Sequence, residues 1–150
     1  MESYLRDDLI FTNLKYENKE EVLKFLASEL VDKELVENGY SDSIITREIE
    51  FPTGLPSTIN VAIPHTDSGL VKETSIAVGV LSEPVQFESM DNPEKILNVE
   101  LVLMLAMKEA HGQLEMLQKI IKLIQNENIL RDIVNEKKPV KIKKILKRHL

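Results

Sequence analysis

Residues 59–67 read Ile59-Asn60-Val61-Ala62-Ile63-Pro64-His65-Thr66-Asp67. An apolar run stops at a proline, and a histidine follows at once. Proline disfavours helical geometry at Ile63 and lacks the N–H that a ladder bond needs, so a strand over 60–63 ends there. His65 is then left at a strand's C-terminal end, beside Thr66, Asp67, Ser68 and Gly69. Ligands of open α/β sheets bind outside such ends, which marks His65 as a candidate for chemistry. A strand-end histidine that only hydrogen-bonds a loop is the competing reading.

Two further strands are expected, over 75–81 (SIAVGVL) and 99–107. Both are apolar without alternation, as central strands covered on both faces are. Upstream, 9–14 reads as a first strand. Asn18-Lys19-Glu20-Glu21 has the form of a capping box opening a helix with apolar positions Val22, Leu23, Leu26, Leu30 and Val31. Asn38-Gly39 is expected to close a second short helix through a left-handed glycine. Ser41 is expected to cap a helix over 42–50 that carries Arg47. Residues 51–57, with two prolines and a glycine, read as loop. Helices are expected over 113–125 and 128–134, followed by a basic C-terminal helix. The fold class is α/β: a mixed sheet flanked by helices on both faces, three layers in a single domain over 1–150.

The chain has 150 residues, 43% of them hydrophobic and 29% charged, which suits a globular domain with a full core. With no cysteine, thiolate catalysis, disulfides and cysteine-ligated metal are excluded. The longest unbroken apolar run, 101–107, has seven residues, against roughly 20 for a membrane span. The acidic start MESYLRDDL lacks a signal-peptide core, so a cytoplasmic location is expected. The net charge of −6 is divided unevenly. Residues 137–150 hold seven Lys/Arg and no acid, leaving 12 basic against 25 acidic residues elsewhere, a net of −13. Such a body repels nucleic acid, and the basic segment reads as an amphipathic helix with a solvated lysine face.

His111, in Lys108-Glu109-Ala110-His111-Gly112-Gln113, follows the strongest strand as His65 follows its own. Alone it reads as a loop or cap histidine; beside His65 it forms a pair, if their strands are near neighbours. His149 lies among lysines at the chain end and has no assigned role. A zinc site from the two histidines with Asp67 or Glu109 lacks ligand spacing such as H-E-x-x-H. No G-x-S-x-G elbow, Walker loop or G-x-G-x-x-G is present. What remains is imidazole as a nucleophile toward phosphorus, with backbone N–H groups, a second imidazole and an arginine as phosphoryl donors.

Arg47-Glu48, Thr53-Gly54, Val61-Ala62-Ile63-Pro64-His65, Ile76-Ala77-Val78-Gly79 and Pro84-Val85-Gln86-Phe87 resemble the enzyme IIA domain of the bacterial sugar phosphotransferase system, fructose/mannitol class. The likeness continues through 101–106 and His111-Gly112-Gln113-Leu114, and covers about 9–134; residues 135–150 match no common part of the pattern. Phe51-Pro52-Thr53-Gly54-Leu55 and Pro64-His65-Thr66-Asp67 are most similar to the galactitol-type subgroup. The resemblance implies that His65 accepts a phosphoryl group on Nε2 from the phosphohistidine of HPr and passes it to a cysteine of a IIB component. His111 would hydrogen-bond the phosphoryl oxygens and Arg47 would neutralise them. Thr66 and Asp67 are candidates for the phosphoryl cradle, with Thr66 standing where many members have glycine. No metal, nucleotide or other cofactor is implied. The partner contacts are expected to be transient, on a face ringed by apolar residues such as Ile63 and Leu70. A nitrogen-type IIA that signals through its phosphorylation state, or a fold relative with structural histidines, are the alternatives.

Overall fold

The period-two pattern of 101–106 sorts these residues onto the two faces of a strand. In the computed structural model, Leu101, Leu103 and Leu105 face one apolar layer, and Val102, Met104 and Ala106 face the other. The structure describes residues 4–150; Met1–Ser3, the start of the acidic N-terminal stretch, lie outside the described residues.

Five strands form one mixed sheet: β1 (Ile10–Leu14), β2 (Gly54–Leu55), β3 (Asn60–Ala62), β4 (Ser75–Glu88) and β5 (Ile96–Ala106), in the order β1-β4-β5-β3-β2. β4 and β5 pair antiparallel in the centre, from Ser75↔Ala106 to Glu88↔Ile96. β1 runs parallel to β4 and β3 parallel to β5, and β2 closes the far edge antiparallel to β3. Helices α3 (Ala110–Ile124), α4 (Glu127–Asn135) and α5 (Pro139–Lys147) cover one face, packing Met116, Ile120, Leu130, Ile133, Ile142 and Leu146 against it. Helices α1 (Lys19–Asp32) and α2 (Tyr40–Glu50) cover the other with Val22, Leu26, Leu30, Tyr40 and Ile44. The expected three-layer α/β arrangement is the one observed. Among the described residues no helix is long and apolar enough to cross a membrane.

Several local expectations are corrected. β4 runs on from Leu81 through Pro84 to Glu88, because the ladder is interrupted between Val80 and Val85 and the proline falls within that interruption. Two residues of the stretch read as loop, Gly54 and Leu55, form β2. No second short helix precedes Gly39. Instead α1 ends in a Schellman motif: Glu34 takes the left-handed conformation (φ 58°), with Leu35 N–H bonded to Leu30 O and Glu34 N–H to Val31 O. The buried pair Leu30 and Leu35 closes that turn, and Val36 then bridges Val71, so extended pairing replaces the helix. Gly39 caps the start of α2 with φ −76°, two residues ahead of Ser41. Tyr40 anchors that start, fully buried with its hydroxyl donating to Leu105 O at 2.9 Å. Asn18 does cap α1, accepting from Glu21 N–H at 3.0 Å, but the Glu21 carboxylate accepts from Glu17 N–H rather than from Asn18.

Candidate active site

β3 and β5 are adjacent and parallel, so the segments that follow them leave the sheet at one edge. His65 lies beside Leu105 across an isolated parallel bridge, and α3 begins only five residues later, at Ala110. The chain path around His65 is pinned on both sides. Leu105 N–H donates to Pro64 O (2.9 Å), and Ile63 N–H donates to Thr53 O (3.2 Å).

The half-buried imidazole places Nδ1 2.8 Å from the Ile63 carbonyl oxygen. A carbonyl only accepts, so Nδ1 carries the proton and the lone pair lies on Nε2. Burial lowers the His65 pKa, and the positive charge of Arg47 lowers it further, while the Ile63 carbonyl opposes both. Burial and the Arg47 charge both favour the neutral ring, whose free lone pair is on Nε2.

Arg47, in the last turn of α2, shares a surface cleft of about 450 Å³ with Asp42, Ser43, Thr46, Glu50, Thr66 and Asp67. Its guanidinium carbon lies 5.0 Å from the ring centre of the exposed Phe51, and its buried Nε has no acceptor among the described residues. Thr66 is buried, its hydroxyl hydrogen-bonded to that of Ser43. The Asp67 carboxylate accepts Gly69 N–H at 2.9 Å and shapes the turn after the histidine. His111 is the second residue of α3; its backbone stands at the same edge, but its ring is 82% exposed, with Nε2 3.7 Å from Glu115 Oε2. Among the described residues no hydrogen bond joins it to His65. The structure thus gathers Arg47, Thr66 and Asp67 in one cleft, with Arg47 close enough for its charge to act on His65, and leaves the His111 side chain turned to solvent.

The apolar rim differs from expectation. Ile63 is fully buried and Leu70 packs partly against the α1–α2 layer. Phe51, Ile49 and Leu114 are the large exposed apolar side chains nearest in sequence to Arg47 and His111.

Sequence reading did not single out Glu48 for the site. It is 1% exposed, accepting Thr53 N–H on Oε2 and the Thr53 hydroxyl on Oε1, both at 2.7 Å. Burial pushes its pKa up to about 7 against the two Thr53 bonds. A signal was present: Tyr40, Ile44 and Glu48 recur every four residues, placing a carboxyl on the apolar stripe of α2.

Over residues 3–149 the chain matches the family described as phosphoenolpyruvate-dependent sugar phosphotransferase system, EIIA 2. It is 26% identical over 124 residues to the galactitol-specific EIIA component of the PTS system of Escherichia coli K12, spanning 82% of each. The crystal structure of IIA mannitol from Escherichia coli shares the fold, with a TM-score of 0.79 at 22% identity over 95% of this chain and 98% of that one. IIA mannitol in its complex with phosphorylated IIB mannitol, also from Escherichia coli, gives a TM-score of 0.69 at 26% identity, over 85% of this chain and 86% of that one. One family pattern running through all five strands and five helices leaves a single assignment: the chain belongs to the EIIA 2 family of the phosphoenolpyruvate-dependent sugar phosphotransferase system.

Proposed function

We propose that the chain is a cytoplasmic phosphocarrier that takes a phosphoryl group on His65 from phosphorylated HPr and hands it to a cysteine of a IIB component. The observation that carries this reading is the Nδ1–H bond to the Ile63 carbonyl, which leaves a neutral ring with its lone pair on Nε2. Nε2 attacks phosphorus as the P–N bond of the donor phosphohistidine breaks, and that electron pair returns to the donor ring. The phosphorylated His65 ring gains positive character, which the Ile63 carbonyl stabilises through Nδ1–H. A thiolate of IIB then attacks phosphorus, and the P–N electrons return to His65 Nε2 as the lone pair.

A phosphoryl group brings roughly two negative charges and three acceptor oxygens near neutral pH. The buried Nε of Arg47 is a donor in want of such an acceptor. The N-terminus of α3, without a side-chain cap, adds backbone donors at the same edge, and rotation of the exposed His111 ring adds a third source. Thr66 lines the Arg47 cleft and, with Asp67, shapes the cradle. The complex formed by IIA mannitol with phosphorylated IIB mannitol supports a IIB partner. Similarity to the galactitol-specific EIIA component favours a galactitol-like sugar alcohol or related sugar as destination. The exposed Phe51, stacked on the Arg47 guanidinium, supplies apolar surface beside the site for a small, transient contact of less than about 1,200 Å².

The test is phosphorylation with enzyme I, HPr and phosphoenolpyruvate, then mapping of the acid-labile label. Label on His65, lost in His65→Ala, is expected; label persisting in that variant or found on His111 overturns the assignment. Arg47→Ala and His111→Ala are expected to slow transfer by roughly ten- to a hundredfold, since a charge-assisted bond is worth about 1.5–3 kcal/mol. Offered purified IIB domains of galactitol, fructose and mannitol type, the labelled protein is expected to prefer the first. Transfer to none of them favours a regulatory role of the nitrogen type.

A further inference from the structure

Among the described residues Glu48 is the one buried carboxylate, and the chemistry proposed above makes no use of it. Both its oxygens are taken by Thr53. Thr53 follows Pro52, which has no N–H, so Thr53 N–H is the first backbone donor after Phe51 in this crossing from α2 to β2. The Thr53 carbonyl in turn receives Ile63 N–H, and the Ile63 carbonyl receives His65 Nδ1–H. Three successive hydrogen-bonded steps thus connect a buried carboxyl to the imidazole proton.

We propose that Glu48 is a positioning residue for His65: by clamping Thr53 it holds the Ile63 peptide in the orientation that selects the Nδ1–H tautomer and frees Nε2. The proposal rests on the phosphocarrier reading only for its consequence in transfer. The clamp itself is a statement about the unphosphorylated chain.

The opposite side of the Ile63–Pro64 segment is fixed independently. Pro64 O accepts from Leu105 N–H, and Leu105 O accepts from the buried Tyr40 hydroxyl. That side anchors the Pro64–His65 peptide but leaves the Ile63 N–H without a partner unless Thr53 is in place. The Ile63 carbonyl belongs to the Ile63–Pro64 peptide between two anchored planes, so the Thr53 rung restrains its tilt from the N-terminal side. Two donors of Thr53 converge on Glu48, and a carboxyl can keep a hydrogen bond to both Thr53 atoms in either ionisation state, with the direction of the hydroxyl bond reversed on protonation. Ionised, it accepts twice; protonated, it accepts Thr53 N–H on one oxygen and donates from the other to Thr53 Oγ1. The adjoining Lys19–Glu88 ion pair, 2.6 Å apart, supplies the charged groups that Glu48 feels, of opposite sign to each other. The clamp consequently depends on hydrogen-bond geometry rather than on net charge, which predicts that an amide can replace the acid. Glutamine accepts Thr53 N–H on its oxygen and donates from its amide nitrogen to the Thr53 hydroxyl.

The experiment uses full-length protein labelled with 15N-histidine, with the His65 tautomer read from long-range 1H–15N spectra at a pH where the ring is neutral. Wild type and Glu48→Gln are expected to show the Nδ1–H form and to be phosphorylated by phosphorylated HPr at rates within about threefold of each other. Glu48→Ala is expected to show mixed tautomers and a roughly tenfold or greater loss in rate, the size typical of removing a supporting partner. An unchanged tautomer in folded Glu48→Ala overturns the proposal, and so does a Glu48→Gln protein as impaired as the alanine variant. Should Glu48→Ala fail to fold, Thr53→Val removes one clamp bond at nearly constant shape, and Thr53→Ser restores it. A tautomer shift in the first that the second reverses is expected, and identical spectra in both overturn the proposal. Failure of the phosphocarrier reading shows itself separately, as wild type that takes no phosphate while the tautomer data still judge the clamp.

Discussion

Two titratable side chains on neighbouring elements are pushed in opposite senses by the same cause. Burial raises the Glu48 carboxyl from its ordinary 4.5 to about 7 and lowers the His65 imidazole. For Glu48, the folded chain keeps a proton that the unfolded chain has already released. Its stabilising contribution is complete below pH 4.5 and is lost as pH rises toward 7, with a total loss on the order of 3 kcal/mol. For His65 the unfolded chain takes up the proton first, so stability is lost as pH falls below the ordinary 6.5. Glu48→Gln keeps the geometry and removes the first of these slopes. Urea unfolding at pH 5 and pH 8 is expected to show the glutamine variant gaining on wild type with rising pH, by an amount of that order. A stability difference that does not change with pH would falsify the assignment of a raised pKa to Glu48. The carboxyl on the apolar stripe of α2 was visible in the sequence, but its partner was not. Thr53 lies beyond the end of the helix, and only the turn at Phe51 and Pro52 brings its N–H and hydroxyl back to Glu48.

At the scale of the element, β2 is two residues long and depends on close approach. A Cβ on Gly54 would lie 2.6 Å from Glu88 O and 3.2 Å from Leu97 Cδ1, and the Gly54 carbonyl accepts Met90 N–H at 2.8 Å. The obstacle is backbone oxygen, which cannot rotate away as a side chain does. Gly54→Ala is expected to cost about 1–3 kcal/mol, the usual penalty of overpacking, and to lower the urea midpoint accordingly. Because Gly54 pairs with Ala62 and adjoins Thr53, the same variant should also slow labelling of His65. An unchanged midpoint would show that β2 yields without strain. The central strands were legible because 75–81 and 99–107 are apolar on both faces. β2 was not, since two residues between prolines carry no periodicity and are a strand only because β3 lies beside them.

The whole molecule is fastened at its C-terminal end. Ile142 and Leu146 of α5 are fully buried in the layer shared with α3 and α4. Lys119 Nζ and the Tyr4 hydroxyl both donate to the Leu150 carbonyl, at 3.1 and 2.8 Å, and Lys143 pairs with Asp7 at 3.4 Å. Lys141 and Lys144 stand exposed on the other side of the helix. Leu146→Ala is expected to cost about 2–5 kcal/mol through loss of burial and the cavity left behind. Lys141→Glu and Lys144→Glu should change stability by less than about 0.5 kcal/mol. Denaturant titration of the three variants checks this, and equal effects would mean that α5 is not docked through its apolar stripe.

Periodicity and punctuation settle what short windows of sequence can settle. The buried central strands, the capped α1, the amphipathic α5 and the stop at Pro64 that puts His65 after a strand all follow from residues within a few positions of one another. Parallel pairing of β3 with β5 does not, because it joins residues some 40 apart along the chain and its register depends on both layers of the core. That pairing sets His65 beside Leu105 and opens α3 at the same edge. The Thr53–Ile63 rung, the approach of Arg47 and the outward turn of His111 are likewise contacts between elements that no local pattern records. The sequence alone determined that an imidazole would end a strand. Which of its nitrogens is free was decided by tertiary structure, through a carbonyl held in place from two sides.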